Sequence, residues 1–405
     1  MIKRTYGYDT TESHVHLNNV YGVNNYKPLP VVIKKGKGVW VWDIEGNKYL
    51  DFLSAYSCQN LGYCHPKVVK AVVEQAKLCG NVSRAFLHDE QGLFMKELAN
   101  FCGKDAVLPM NTGAEAVETA IKAARKWGLK TKGITEPEII VFANNFHGRT
   151  TTIVGFSTEE HYREGFGPFT PGFKIVPFGD LSALLCAVTK NTVAVLLEPI
   201  QGEAGIIIPP NGFLKQIRGV CSTHAILMMA DEIQTGLGRT GKLFACDHEG
   251  VVPDLYIIGK ALGGGLIPVS AVVGNRNILD VFDPGSHGST FGGYSLACAA
   301  GRAALSVIVE EDLCEKSAEV GEYFMTKLRE INSPFVKEIR GKGLMIGVEL
   351  NTKARPFCEA LMKEGLLCKE THDMVIRFAP PLVITKKQID WAVKRIKKVL
   401  EVKLF

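Results

Sequence analysis

The sequence predicts an α/β fold built on a largely parallel sheet and followed by a smaller α+β unit. Short apolar runs recur through the middle of the chain: "EIIVFAN", "FKIVPF", "VAVLLEPI", "AILMMADE", "DLYIIG" and "VSAVVGN". They are continuous rather than alternating, as strands covered on both faces by helices should be. Between some of them lie helical patterns, with Val117, Ala120, Ile121 and Ala124 recurring at helical spacing in "GAEAVETAIKAARKWG". Alternating strands and helices point to a parallel sheet.

Taken from the N-terminus, "GVWVWDIEGNKYLDF" reads instead as a hairpin turning at Glu45, Gly46 and Asn47. The parallel α/β region follows. After about residue 295 the pattern changes to charged helices such as "EEDLCEKSAEVGEYFMTKLREI" and short strands such as "GLMIGVEL" and "MVIRFAP". No internal repeat or low-complexity tract interrupts this order.

The 405 residues, 46% hydrophobic and 22% charged, suffice for one large or two ordinary domains with a substantial core. A net charge of +5 comes from 47 basic and 42 acidic residues spread along the chain, so neither nucleic acid nor a membrane surface is an expected partner. Eleven cysteines stand at irregular spacing without any Cys-x-x-Cys, which fits a reducing compartment and gives no sign of a metal. No apolar run approaches the roughly 18 residues of a membrane span. The N-terminus lacks a signal-peptide apolar core, so the cytoplasm is the expected location.

Two glycine-rich stretches invite a chemical reading. "GLGRTGK", residues 236–242, matches the dinucleotide fingerprint and much of a phosphate-binding loop, which would make the chain a nucleotide-dependent enzyme. Its context argues against both: "EIQT" separates it from the apolar run, no helical pattern follows, and Leu243 stands where magnesium would need a hydroxyl. The second stretch, "IIGKALGGGLIPVSAVV", places Lys260 in an apolar setting where burial disfavours an ammonium. A lysine that snorkels to water would explain it without function. Asp231, however, ends the preceding apolar run just as Lys260 ends this one. In a parallel sheet both would emerge at the carboxyl edge, where such sheets bind ligands.

Lysine and aspartate facing one crevice suit pyridoxal 5'-phosphate, whose aldehyde condenses with an amine and whose ring nitrogen a carboxylate keeps protonated. In "NTGAEA", Thr112, Gly113 and Ala114 open a helix whose free amides could hold the phosphate. Thr112 and Glu115 also read as a capping box, and the two readings coexist.

Together "NTGAEA", "NFHGRT", "EPIQGEAG", "ADEIQTGLGRTG", "IIGKALGGGLIPVSAVV" and "HGSTFGG" resemble, in order and spacing, the fold-type I, class-III aminotransferases that act on terminal amines. The resemblance spans essentially the whole chain. "NYKPLP", "SAYS" and "IRFAPPLVI" are similar to the branch of that family that works on ornithine. It implies a mostly parallel seven-stranded sheet sandwiched by helices, residues 51–295 as a large cofactor-binding domain, 296–405 as a small domain, and 1–50 as a segment packing with the latter. It implies transfer of the terminal amine of L-ornithine to 2-oxoglutarate, within arginine and proline metabolism, by a homodimer with active sites at the subunit interface. Acetylornithine, 4-aminobutyrate and lysine are the alternative donors.

By motif position, Lys260 resembles the lysine that binds the cofactor and moves protons, and the glycines after it would give the cofactor room. Asp231 resembles the partner of the ring nitrogen and Gln234 the donor near the ring's phenolic oxygen. Ile233 and Phe146 would cover the two ring faces, with His147 beside them where some ornithine enzymes carry tryptophan. Gly113 and Ala114 resemble the phosphate cradle, Ser289 falls among the cofactor-binding positions, and Thr290 resembles the phosphate ligand that family members donate across a subunit interface. Tyr26 and Arg149 would hold the ornithine carboxylate, Arg377 the glutamate carboxylate, and Glu203 would pair with Arg377 when ornithine is bound. Tyr56 stands where enzymes for acetylornithine or 4-aminobutyrate tend to have an aliphatic residue.

Overall fold

The computed structural model describes residues 10–401. Residues 1–9 of the N-terminal segment and 402–405 lie outside it. The expected hairpin is present: β1 (Ile33–Lys37), β2 (Trp40–Asp43) and β3 (Lys48–Asp51) are antiparallel, with the predicted turn between β2 and β3. Asp43 shapes that turn by accepting from the backbone N–H groups of Glu45 and Asn47 at 3.0 and 2.7 Å.

Seven further strands form the central sheet: β4 (Ala106–Met110), β5 (Glu138–Phe142), β6 (Phe173–Val176), β7 (Thr192–Leu197), β8 (Leu227–Asp231), β9 (Leu255–Ile258) and β10 (Ser270–Gly274). Their order is β4-β10-β9-β8-β7-β5-β6; β10 runs antiparallel to both neighbours and the other pairings are parallel. The six apolar runs of the sequence are β5 to β10. β4 escaped the pattern because "AVLPM" is short and contains Pro109, which fits here because β4 is an edge strand.

Continuous apolar runs are explained by two cores, one on each face. Ile139, Val141, Ala194, Leu196, Met229 and Ile257 pack with the helix Gly113–Lys132. The intervening Ile140, Phe142, Val195, Leu197, Met228 and Ala230 pack with the helix Phe213–Thr223. Since side chains alternate across a strand, a strand buried on both sides must be apolar at every position.

The C-terminal part adds β11 (Val336–Lys342), β12 (Met345–Leu350), β13 (Leu366–Leu367), β14 (Lys369–Thr371) and β15 (Val375–Phe378). β11, β12, β15 and β14 form an antiparallel sheet, whereas β13 joins the hairpin by pairing parallel to β3. The first and last parts of the chain are thereby stitched together. Phe52, Phe324 and Phe378 seal the junction, all fully buried with ring centroids 5.5–5.8 Å apart. Truncating one such ring to alanine typically costs about 3–5 kcal/mol. Among the described residues, no helix is long and apolar enough to cross a membrane.

Candidate active site

A cavity of about 210 Å³ opens at the carboxyl ends of β7, β8 and β9. Its lining includes Lys260, Asp231, Ile233, Gln234, Gly113, Ala114, Phe146, His147 and Glu203. Nine residues singled out in the sequence, from five separate segments, thus share one pocket. The parallel pairing of β8 and β9 delivers Asp231 and Lys260 to the same edge.

Lys260 follows Gly259 and has φ 46°, a left-handed conformation. Among the described residues its amine donates no hydrogen bond and forms no ion pair. Burial lowers its pKa, opposed by the charge of Glu203. An amine whose ammonium form burial disfavours, and that has no hydrogen-bond partner among the described residues, is chemically available. The glycines after it do not open the cavity, contrary to expectation. A Cβ on Gly264 would meet Val68 at 2.7 Å and one on Gly265 would meet Gln59 at 2.1 Å, so they make room for protein side chains.

Asp231 is 4% exposed and well tied. Its Oδ2 accepts from His147 Nδ1 at 2.6 Å and its Oδ1 from the Ile233 N–H at 3.1 Å. Burial alone would lower the His147 pKa, but the bond to Asp231 and its charge raise it overall. Opposite, the helix Gly113–Lys132 begins with the predicted capping box: Thr112 accepts from the Glu115 N–H, and Glu115 accepts from the Thr112 N–H. The Gly113 and Ala114 amides have no acceptor among the described residues. They face the cavity as an anion-ready helix end.

Behind Glu203, which lines the cavity, Arg377 is 2% exposed and donates to that carboxylate through Nη1 at 2.6 Å and Nη2 at 3.4 Å. Gln234 Nε2 donates to the same carboxylate at 3.1 Å. Burial would raise Glu203, but Arg377, Lys260 and Gln234 bring its pKa down to about 2. The Tyr56 ring lies against the Arg377 guanidinium, 4.7 Å from centroid to carbon. Arg149 is exposed and stacks on Tyr162 at 4.2 Å and on Phe146 at 5.6 Å.

Seven expected residues are absent from the lining of this cavity: Thr112, Tyr56, Arg149 and Arg377 adjoin it through the contacts just given, whereas Tyr26, Ser289 and Thr290 stand apart. Tyr26 is 70% exposed, near enough to Tyr56 to act on it by charge. Ser289 accepts from Asn111 Nδ2 at 2.8 Å, and exposed Thr290 presents its carbonyl to Asn81 Nδ2 at 3.2 Å.

Glu198, which sequence reasoning missed, follows β7 and lines the same pocket. Burial raises its pKa to about 7, although it accepts from the N–H groups of Phe146 (2.8 Å) and Gly202 (3.3 Å). The cue was available, since Glu198 ends an apolar run just as Asp231 does.

The chain belongs to the class-III aminotransferases, whose family pattern matches residues 21–400. Among its relatives, the ornithine aminotransferase of Geobacillus sp. (strain WCH70) is 62% identical over 392 residues, 96% of this chain and 98% of that one. A crystal structure of the ornithine aminotransferase from Toxoplasma gondii, with partial occupancy of PLP at its active site, superimposes with a TM-score of 0.96 at 43% identity, covering 97% of this chain and 95% of that one. An acetylornithine aminotransferase from Elizabethkingia anophelis is 46% identical with a TM-score of 0.88, covering 96% and 98%.

Proposed function

We propose that this chain is a pyridoxal 5'-phosphate-dependent aminotransferase that moves the terminal amino group of L-ornithine to 2-oxoglutarate, yielding glutamate 5-semialdehyde and glutamate. The observation that carries the reading is the pocket lined together by Lys260, Asp231 and Glu203, the last of which is paired with Arg377. The residues fit the cofactor: the cavity is walled by Phe146 and Ile233, an unsatisfied helix start lines it, and Gln234 Oε1 is buried without a partner. When bound, pyridoxal phosphate supplies an aldehyde that takes up and returns an amino group and a ring that accepts an electron pair from the substrate carbon.

The protein supplies the rest. Asp231, steadied by His147, would hold a proton on the ring nitrogen, and the Gly113 and Ala114 amides would take the phosphate. Lys260 Nζ takes a proton from the carbon bearing the amine and returns it on the other side, a task suited to an amine whose pKa burial has lowered. Glu203 occupies Arg377 while a donor enters amine-first, with Arg149 and Tyr26 holding the donor's carboxylate. Displaced from Glu203, Arg377 receives the glutamate carboxylate in two parallel hydrogen bonds. One pocket thereby accepts carboxylates at two distances from the reacting carbon.

Ser289 and Thr290, outside the cavity of their own chain, support a homodimer in which each completes its neighbour's phosphate site. We also place the protein in the cytoplasm, with residues 51–295 and 296–405 as its large and small domains. The deciding assay mixes the purified protein with ornithine and 2-oxoglutarate and measures the cyclised semialdehyde, with acetylornithine, lysine and 4-aminobutyrate in parallel. Preference for any of these over ornithine overturns the substrate assignment.

A further inference from the structure

The turn that carries Tyr56 is strained. Ser54, Ala55, Tyr56 and Ser57 have φ of 51°, 46°, 59° and 72°, four consecutive non-glycine residues in the left-handed region. There the Cβ crowds the following carbonyl, so such a turn persists only where its surroundings over-determine it.

Two buried charges do so. Asp51, at the end of β3, accepts from the backbone N–H groups of Leu53 (2.8 Å) and Ser54 (3.0 Å) and from the Tyr63 hydroxyl (3.0 Å). Beyond the turn, Arg239 of "GLGRTG" donates to Asn60 Oδ1 at 2.6 Å and to the carbonyls of Pro380 (2.6 Å) and Leu344 (2.9 Å). Asn60 in turn donates to the Leu237 carbonyl at 3.1 Å and accepts from the Leu382 N–H at 2.8 Å, while the Ala379 N–H donates to the Phe52 carbonyl at 2.8 Å. Both ends of the turn are therefore tied to residues 379–382, the segment that begins two residues after Arg377. The glycine motif that resembled a nucleotide loop delivers a guanidinium to the interior.

We propose that Asp51 and Arg239 are positioning residues for substrate choice: they hold the left-handed turn so that Tyr56 stays seated on Arg377, and so set which amino donor the pocket accepts. Neither lines the cavity. The proposal rests on the donor pocket described above.

The test compares kcat/KM for ornithine, acetylornithine and 4-aminobutyrate, at fixed 2-oxoglutarate, in the wild-type holoenzyme and in variants. Asp51→Asn leaves one acceptor oxygen where three donors converge and turns an amide N–H toward them. It is expected to lower the ornithine value about tenfold while the other donors change less than about threefold. Tyr63→Phe and Arg239→Lys shift the same ratio in the same direction by less. Adding Ala55→Gly to Asp51→Asn relieves the Cβ crowding, so it restores part of the ratio and raises the melting temperature of the cofactor-free double variant above that of Asp51→Asn. Equal losses on every donor, or an unchanged ratio, would overturn the proposal. A wild type that ignores ornithine sinks the substrate reading alone; the proposal then stands or falls on the ratio among the donors it does use.

Discussion

Two glycine-rich loops leave the carboxyl edge of neighbouring parallel strands, and each carries one enclosed cation. After β8 comes "GLGRTG" with Arg239, and after β9 comes "GKALGGG" with Lys260. By composition they are near twins. Arg239, 0% exposed, spends its charge on three oxygen acceptors, whereas Lys260 lines a cavity and has no hydrogen-bond partner among the described residues. What separates a structural cation from a reactive one is therefore the satisfaction of its hydrogen bonds, which motif spacing does not report.

The sharpest way to break this contrast is to replace each cation by methionine. Lys260→Met removes the nucleophile and proton carrier, so turnover should fall on the order of 10⁴-fold or more, read by steady-state assay. The urea midpoint of the cofactor-free protein should not fall, because an unpartnered amine gives way to an apolar group. Arg239→Met should do the reverse to stability. It strands Asn60 Oδ1 and two carbonyls and is expected to cost about 3–5 kcal/mol in urea unfolding. Equal stability losses in the two variants would dissolve the distinction.

Glu198 lies between these extremes, enclosed and held, among the described residues, by two backbone N–H groups. Its carboxyl is raised to about 7 from 4.5, so the unfolded chain ionises first. Stability is complete below the unfolded value and is lost as pH rises from about 4.5 through about 7, by on the order of 3 kcal/mol. Glu198→Gln should flatten that part of a plot of melting temperature against pH. Glu203 has the opposite sign: depressed to about 2, its contribution is present above 4.5 and is lost as pH falls toward 2. The smallest effect concerns selectivity. Glu203→Gln leaves Arg377 without its anion, so the KM for glutamate should fall relative to that for ornithine, by about tenfold. An unchanged ratio would mean that Glu203 does not gate Arg377.

Six of the seven central strands and the hairpin were legible because burial on two faces, or a turn, leaves a local pattern. Asp231 and Lys260 were legible for the same reason: each is a charge ending an apolar run. Glu198 obeys that rule and was passed over because "EPI" invited no chemistry by itself. The left-handed Ser54–Ser57 turn could not be read, since no residue in "SAYS" favours positive φ. It exists because Asp51 and Asn60, fixed by distant segments, leave the backbone no other path.

By itself the sequence determined the layered architecture, the order of its strands along the chain and the pairing of an amine with a carboxylate at one sheet edge. These depend on periodicity and on where charges interrupt it, both properties of neighbours in sequence. Only the tertiary structure decided which glycines border the cavity, which of two cations is left free, and how Tyr56 meets Arg377. Those outcomes depend on hydrogen-bond donors and acceptors that come together across hundreds of residues, and a polar group's chemistry is set by the partners it finds in space.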